Sequence, residues 1–408
     1  MEKRRILVYH WNAYNYADTL AAFRQMGYDM DVIEQTLKSY DEDEAFENRL
    51  EGILRQNPDY DFVFTINYFG CISEVCRRCG MKYVVWTCDN PLISMYHRSV
   101  FYDCNYIFTF DKTNYIEFTQ MGVKHIWYLP LAVDTNRMDD LLAHRQVQTK
   151  GQQTGLDQVP DAVQYGNEIA FIGSLYERNT YDKLSDTLPP YLRGYFDAVM
   201  QAQMSISGAN IIEEMLTTDI LEQLQEYFPL KKTEHSFSDI GLIFSTTVLG
   251  FKIAAIQRRR ALVALSARYP VSVYSNSNVA DLIRIKYRGG VDYWREMPKV
   301  FHYSKINLNF TIPNIKSGLP LRMWDVLGAG GFLMTNYQAE IPYYFEEGKD
   351  LVCFDDEKDL VEKVGYYLNH EEERKEIARN GYRKVKEIHT YRKRLEQMLS
   401  IIGQNENH

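Results

Sequence analysis

Short apolar runs recur along the chain, separated by stretches with helical spacing. Arg5–His10 (RILVYH) reads as a buried strand, and Thr19–Met26 as a helix that Gly27 ends. Met30–Ile33 predicts a second strand and Asp43–Arg55 an amphipathic helix. Asp61–Asn67, Tyr83–Thr87, Tyr106–Phe110 and Ile126–Leu129 are further apolar runs, each followed by a turn or helical stretch. Strands that alternate with helices predict a parallel sheet covered on both faces.

His144–Tyr165 breaks this rhythm. It is rich in Gln, Gly and Asp without periodicity, and reads as a linker, drawn at 151–167 after a first domain of 1–150. The alternation resumes at Glu168–Ile172, followed by Gly173-Ser174. A long helical stretch over 188–268 intervenes, with helical spacing around Ile211–Leu224 and Ile253–Leu265. Val271–Tyr274, Ile306–Phe310, Gly331–Thr335 and Leu351–Phe354 then predict four more strands. Glu357–Leu368 and Glu371–Ile401 are charged helical segments. The second domain is drawn at 168–385, and 386–408 as a helix crossing back to the first. The reading is an α/β chain of two Rossmann-like domains facing across a cleft, with an extra helical insertion in the second half. Such a pair holds its ligand in the cleft. The insertion is expected beside the cleft or as a dimer surface, which makes a second copy of the chain a candidate partner.

Composition narrows the classes. The 408 residues are 45% hydrophobic and 25% charged, ordinary for a globular protein, and the length suits two or three domains. A formal net charge of −9 argues against nucleic-acid binding, which depends on neutralising phosphates. Met1–Arg5 precedes only a short apolar run, so no signal peptide is expected. No window reaches the ~18 apolar residues of a membrane span, the best one, Ile240–Ile256, being broken by Lys252. A cytoplasmic location is the expectation. Cys76-Arg-Arg-Cys79 has the spacing of half a zinc site, with Cys71 and Cys88 nearby, but no second close pair follows. The six cysteines read as reduced thiols, and no metal site is expected.

The richest stretch for chemistry is 317–335, SGLPLRMWDVLGAGGFLMT. A strand leads into a loop with Pro313 and Gly318, and a short helix starts near Pro320 and ends at Gly328. Free N–H groups over Gly318–Leu321 suit an anion. Arg322 adds a fork of donors for phosphate, and Asp325, one turn on, suits ribose hydroxyls. An ordinary helix between two strands explains the same pattern.

The segments Gly289-Gly-Val, Ser304-Lys-Ile-Asn-Leu-Asn309, Leu321-Arg-Met-Trp-Asp325, Gly328–Thr335 and His389-Thr-Tyr391 carry a resemblance. Over 286–398 the chain resembles the C-terminal half of bacterial family-4-type glycosyltransferases of the spore-maturation CgeB group. Phe171-Ile-Gly-Ser174 with Arg178 resembles the group's first C-domain strand and its phosphate-facing basic residue. Trp86-Thr-Cys-Asp-Asn-Pro91 and Tyr128-Leu-Pro-Leu-Ala132 resemble its N-terminal domain. The resemblance implies the GT-B architecture, with a nucleotide-diphosphate sugar on the second half and a protein or cell-surface glycan acceptor on the first. The family pattern has two glutamates eight positions apart where this chain has Ser317 and Asp325. That departure leaves retention or inversion of the sugar's stereochemistry open.

Gathering the leaving diphosphate without a metal or other cofactor falls to helix N-termini and cations. Arg178 and Arg322 are the candidates, with Gly173, Ser174, Gly318 and Leu319 giving close backbone approach, and Asn309, Ser317 and Asp325 completing the donor side. Tyr293 or Trp294 is a candidate to stack on the base, with core packing as the commoner role of an aromatic there, and Lys183 to add charge or stay solvated. Asp89 and His10 close strands on the acceptor side, where either would deprotonate a hydroxyl. An Asx-turn at Asp89 and a turn histidine at His10 are the structural alternatives. His389 is expected on the last helix, docking it across the domains. A nucleotide-sugar epimerase and a non-catalytic nucleotide-sugar-binding or interaction module are the competing functions.

Overall fold

The computed structural model describes residues 4–148, 160–230 and 232–405. In the first half the strands are β1 Arg5–His10, β2 Asp29–Glu34, β3 Phe62–Ile66, β4 Tyr83–Trp86, β5 Asn105–Thr109 and β6 Ile126–Tyr128. They form one sheet in the order β2-β1-β3-β4-β5-β6, parallel throughout. Helices α1 Tyr16–Gln25, α2 Glu44–Gln56, α3 Gly70–Cys79, α4 Lys112–Gln120 and α5 Thr135–Gln148 connect and cover it. β3, β4 and β5 are buried at every position, as strands between two helical layers must be. Polar caps start the helices: Asp43 accepts from Phe46 N on α2 and Asp111 from Asn114 N on α4. Gly80, at φ 64°, ends α3 in the left-handed region that glycine tolerates best. Cys71 and Cys76 face the core from α3, and burial pushes both thiols up.

The second half opens with α6 Asp161–Tyr165 and β7 Ile169–Ile172. The insertion follows as α7 Thr180–Ser185, α8 Pro190–Met204, α9 Ile212–Met215 and α10 Thr218–Leu224. α11 Ile240–Ile243 continues through a π-helical Phe244–Gly250 into α12 Phe251–Ser266. Then come β8 Val271–Tyr274, β9 Lys286–Tyr287, α13 Met297–Tyr303, β10 Ile306–Asn309, α14 Leu321–Gly328, β11 Leu333–Asn336, α15 Ile341–Tyr344 and β12 Val352–Phe354. The chain ends with α16 Glu357–Asn369, α17 Glu371–Ile388 and α18 Tyr391–Asn405. The sheet order is β12-β11-β10-β7-β8-β9, again all parallel.

Three segments differ from the sequence reading. The linker stretch carries helix at both ends, through Gln148 and over Asp161–Tyr165; the centre of that linker lies outside the described residues. The single helix expected over 371–401 is two helices, and His389 stands at the break rather than on the last one. The two-residue β9 is too short for any periodicity to show. Ile240–Ser266 is the one helix among the described residues long and apolar enough to cross a membrane, and 67% of its apolar window is buried in the fold.

The insertion has a satellite core of its own, with Phe196, Ile212, Leu224, Phe244 and Leu249 buried together. It also reaches the first half. Arg98 N donates to His235 O at 2.9 Å, Phe237 N to Tyr96 O at 2.8 Å, and Thr233 Oγ1 to Asp41 Oδ2 at 2.7 Å. Lys316 lies 2.7 Å from both Glu117 on α4 and Glu213 on α9. The insertion therefore straps one side of the interdomain cleft.

At the opposite end, α17 packs on α14 and α18 returns to pack on α1. The His389 carbonyl accepts from Val133 N, and its ring lies against Trp324, Tyr344 and Phe345. Burial first, then the Arg394 and Lys384 charges, holds this imidazole down to about 3. An unfolded imidazole titrates near ~6.5, so between those values only the unfolded chain takes up the proton. The contribution is complete above the unfolded value and is lost as pH falls towards 3. Its slope is about 1.4 kcal/mol per pH unit inside that window. His389→Gln should flatten the fall in stability relative to wild type, read as the difference between urea midpoints from pH 6.5 to 4. Parallel curves would mean that the folded imidazole protonates normally.

Candidate functional site

β7 opens the second sheet at its middle. The chain runs outward through β8 and β9, then returns to β10 on the other side of β7. The strand order thus reverses between β7 and β10, the place where open α/β sheets bind ligands. Arg258, from α12, sits over that gap. Its guanidinium donates to Ser174 O and to Phe310 O, both at 2.6 Å, one carbonyl after each strand. It stacks on Tyr176 at 4.9 Å, and its Nε has no partner. Among the described residues no carboxylate pairs with it, and burial works against its charge. A guanidinium held by carbonyls at the switch point presents unneutralised positive charge where open α/β sheets bind ligands.

The loop and first turns of α14 add to this site. Arg322 lies on Met297 Sδ and over the Phe301 ring, with its charge in reach of both Arg258 and Asp325. Asp325 is buried; burial, against the pull of Arg322, pushes its carboxyl up to about 6. Tyr293 Oη donates to Asp325 Oδ1 at 3.0 Å. From the first half, Asp18 on α1 binds Arg137 on α5 at 2.8 Å, and burial pushes the Asp18 carboxyl up. Arg137 also donates to Trp294 O and lies over the Trp294 ring at 4.8 Å. The fields of Asp18, Asp325 and Cys88 all reach Tyr391 at the start of α18. Tyr293 and Trp294, expected to stack on a base, are thus engaged by Asp325 and Arg137.

The amides expected to hold a donor phosphate already hold an anion. Ser317 N and Gly318 N donate to Asp111 Oδ2 at 2.9 and 3.0 Å, while Asp111 Oδ1 takes Ser317 Oγ and the α4 cap bond. Asp111 belongs to the first half and is fully buried. A Cβ on Gly318 would come within 2.9 Å of Phe110 O, so this contact is sealed and Gly318 is needed for the close approach. Ser317 and Gly318 therefore serve a latch between the halves rather than an open cradle. Ser317 Oγ also accepts from Thr113 N at 3.0 Å and has one proton to give, yet lies 2.9 Å from Asp111 and 2.8 Å from Glu340. The two carboxylates therefore compete for one hydroxyl proton. Burial pushes the Glu340 carboxyl up, and Asp111 adds to the shift.

Two further donor-side candidates have structural work. Asn309 gives its amide protons to Thr311 and Thr335, both at 2.9 Å, which ties the ends of β10 and β11 together. Leu319 is 2% exposed in the core, and its carbonyl accepts from Trp324 Nε1. Gly173 and Ser174 follow β7 at the Arg258 contact, where a Cβ on Gly173 would approach the Arg258 guanidinium to 3.8 Å. Arg178 and Lys183 stand exposed beyond that loop.

On the acceptor side, Asp89 follows β4 and keeps an exposed side chain although protein surrounds it on most sides. Asn67 Nδ2 donates to it at 2.7 Å, and burial pushes its carboxyl up. His10 is bound by Glu34 at 2.9 Å and stacks on Tyr16 at 3.9 Å. Among the described residues no cluster of three His, Cys, Asp or Glu side chains is placed to hold a metal.

Comparison with known proteins gives the fold a name. A family described as glycosyl transferase-like matches residues 256–400. No curated protein matches the chain. Among solved structures, Anabaena Alr3699/HepE in complex with UDP and glucose aligns with TM-score 0.56 at 8% identity, over 98% of this chain and all of that one. A glycosyltransferase from Rickettsia africae aligns with TM-score 0.53 at 8% identity, over 98% of both chains. A sucrose-phosphate synthase from Thermosynechococcus elongatus aligns with TM-score 0.53 at 8% identity, over 99% of both. At this identity the likeness is one of fold, the GT-B arrangement of two Rossmann-like halves across a cleft.

Proposed function

We propose that the chain transfers a sugar from a nucleoside diphosphate donor to a hydroxyl on a protein or glycan. The observation that carries this reading is Arg258, a guanidinium with no carboxylate partner among the described residues, bonded to carbonyls after β7 and β10 at the switch point of the second sheet. Alr3699/HepE, with the same fold, is described in complex with UDP and glucose, which makes uridine diphosphate the first donor to try.

The roles follow from charge. The bond between the anomeric carbon and the diphosphate oxygen breaks, and the electron pair stays on the diphosphate. Arg258 and Arg322 meet that charge as it develops, the task a metal ion performs elsewhere. Asp325, with its raised carboxyl, accepts from ribose hydroxyls beside Tyr293. The acceptor oxygen bonds to the anomeric carbon, and Asp89 takes its proton. Asp89 suits this better than His10 because its side chain reaches solvent and its carboxyl is raised, whereas Glu34 engages the His10 ring.

The test is incubation of the full chain with UDP-glucose, UDP-N-acetylglucosamine and GDP-mannose, with and without a glycan acceptor mixture, followed by detection of free UDP or GDP. Release stimulated by acceptor supports the reading. A chain that neither releases UDP or GDP nor gains thermal stability from any of the three would overturn it.

A further inference from the structure

Asn67 follows the last residue of β3 and is 3% exposed. Its backbone φ of 66° lies in the left-handed region, which side chains rarely adopt and asparagine tolerates better than most. Among the described residues the other non-glycine residue in that region is Tyr176, whose ring lies against the Arg258 guanidinium. Backbone of this kind persists only where its surroundings hold it, and it gathers at functional sites. Each of the two residues touches a side chain to which the transfer reaction assigns a role.

The contacts that hold Asn67 are explicit. Its N–H donates to Trp86 O at 3.0 Å and its carbonyl accepts from Thr65 Oγ1 at 2.6 Å, so the backbone is tied on both sides. The side chain reaches the loop after β4. Oδ1 accepts from Cys88 N at 2.8 Å and from Asp89 N at 3.4 Å, while Nδ2 donates to Asp89 Oδ2 at 2.7 Å. One amide therefore grips both the backbone and the carboxylate of Asp89. The other carboxylate oxygen, Oδ1, has no hydrogen-bond partner among the described residues, and the Asp89 side chain is exposed.

We infer that Asn67 is a positioning residue for the base: it holds Asp89 by Oδ2 so that Oδ1 alone meets the acceptor hydroxyl. The inference rests on the transfer reading, in which the proton passes from the acceptor oxygen to Oδ1 as that oxygen bonds to the anomeric carbon. The same hydrogen bond has an electrostatic effect. Burial, the larger influence, favours the neutral acid of Asp89, while the Asn67 amide favours the carboxylate. Among the described residues no charged side chain adds to either. The neighbouring Cys88 thiol is itself pushed well up, by burial first and then by Asp89. Asn67 thus keeps a proton acceptor ionised in surroundings that favour its neutral form.

The experiment is an NMR titration of the full chain, read at isotope-labelled aspartate carboxyl carbons, with the Asp89 signal assigned by its loss in Asp89→Asn. Asn67→Gly removes the side-chain amide and suits the left-handed backbone. Asn67→Asp keeps an acceptor for Cys88 N and Asp89 N, but sets a second carboxyl against Asp89 in place of the donor. The expected result is an Asp89 carboxyl that titrates about 0.5 pH unit or more higher in Asn67→Gly than in wild type. In Asn67→Asp the upper apparent value of the carboxyl pair should stand higher still. A base acts in its ionised form, so the acid limb of kcat/KM for transfer should move up in pH by the same amount in Asn67→Gly, which a merely structural role would not produce. An Asp89 carboxyl that titrates as in wild type in both variants overturns the inference. So does an acid limb that stays in place while the carboxyl moves. A wild type that transfers no sugar counts against the transfer reading alone, since the NMR comparison still decides whether Asn67 holds the carboxylate.

Discussion

Arg258→Ala should lower the affinity for uridine diphosphate by about 100-fold or more, with the fold retained. Hydrogen bonds between charged groups are each worth about 1.5–3 kcal/mol, and 100-fold is about 2.7 kcal/mol, so the loss of one guanidinium suffices. The change removes no carboxylate's partner, because among the described residues none binds this side chain. Ser174 O and Phe310 O lose a donor and can turn to water at the edge of the cleft. Arg258→Lys keeps the charge but cannot reach both carbonyls and a ligand together, so it should bind with an intermediate affinity. Arg259→Ala is the matched control. It removes the same chemistry from the same helix, but from a side chain bound to Asp281 and Asn278 O on the outer face. Isothermal titration of the three variants decides the matter. Equal affinity in wild type and Arg258→Ala would remove this residue from the site and leave the proposed function without its main support.

Both sheets were legible in the sequence because most parallel strands between two helical layers are short apolar runs, while edge strand β2, with Asp29, Asp31 and Glu34, showed only the Met30–Ile33 part of itself. β9 shows no such run, having two exposed residues. The break at His389 escaped for a different reason: helical spacing continues across it, while the His389 carbonyl turns to accept from Val133 N of the other half. The same limit governed the site. Asp325 and Arg322 stand out as candidates in the sequence because strand, loop and helix are contiguous around them. Arg258 lay inside the stretch set aside as surplus, 84 residues from the Ser174 carbonyl it binds. Its signal was present, since Ala254, Arg258, Ala261, Leu262 and Leu265 share one helical face and all but the arginine are apolar. An arginine on a buried stripe asks for an explanation that periodicity alone cannot provide. Asp111 had no comparable signal. A helix-capping aspartate is expected at that place, and nothing local shows that its second oxygen reaches residues 206 and 207 positions away.

That second oxygen sets the other large effect. Asp111→Ala should cost about 3 kcal/mol or more, because it combines a lost cap of about 1 kcal/mol with two buried amides left without an acceptor. Asp43→Ala on α2 provides the comparison, since that carboxylate also caps a helix and accepts from Lys38 N, but touches only the first half. The excess of the Asp111 variant over the Asp43 variant in urea midpoint, at equal slope, measures the latch between the halves. Asp111→Asn is not a mild substitute. Its amide keeps one acceptor oxygen for four donors, and its NH2 points donors at Ser317 or Gly318 N–H. The latch also separates two accounts of the donor site. If the amides of Ser317 and Gly318 were the phosphate cradle, removing Asp111 would vacate it and strengthen binding of uridine diphosphate. With the anion held instead by Arg258 and Arg322, affinity in Asp111→Ala should stay within about threefold of wild type while stability falls. A large gain in affinity would return the donor phosphate to the start of α14 and make Asp111 an inhibitor built into the fold.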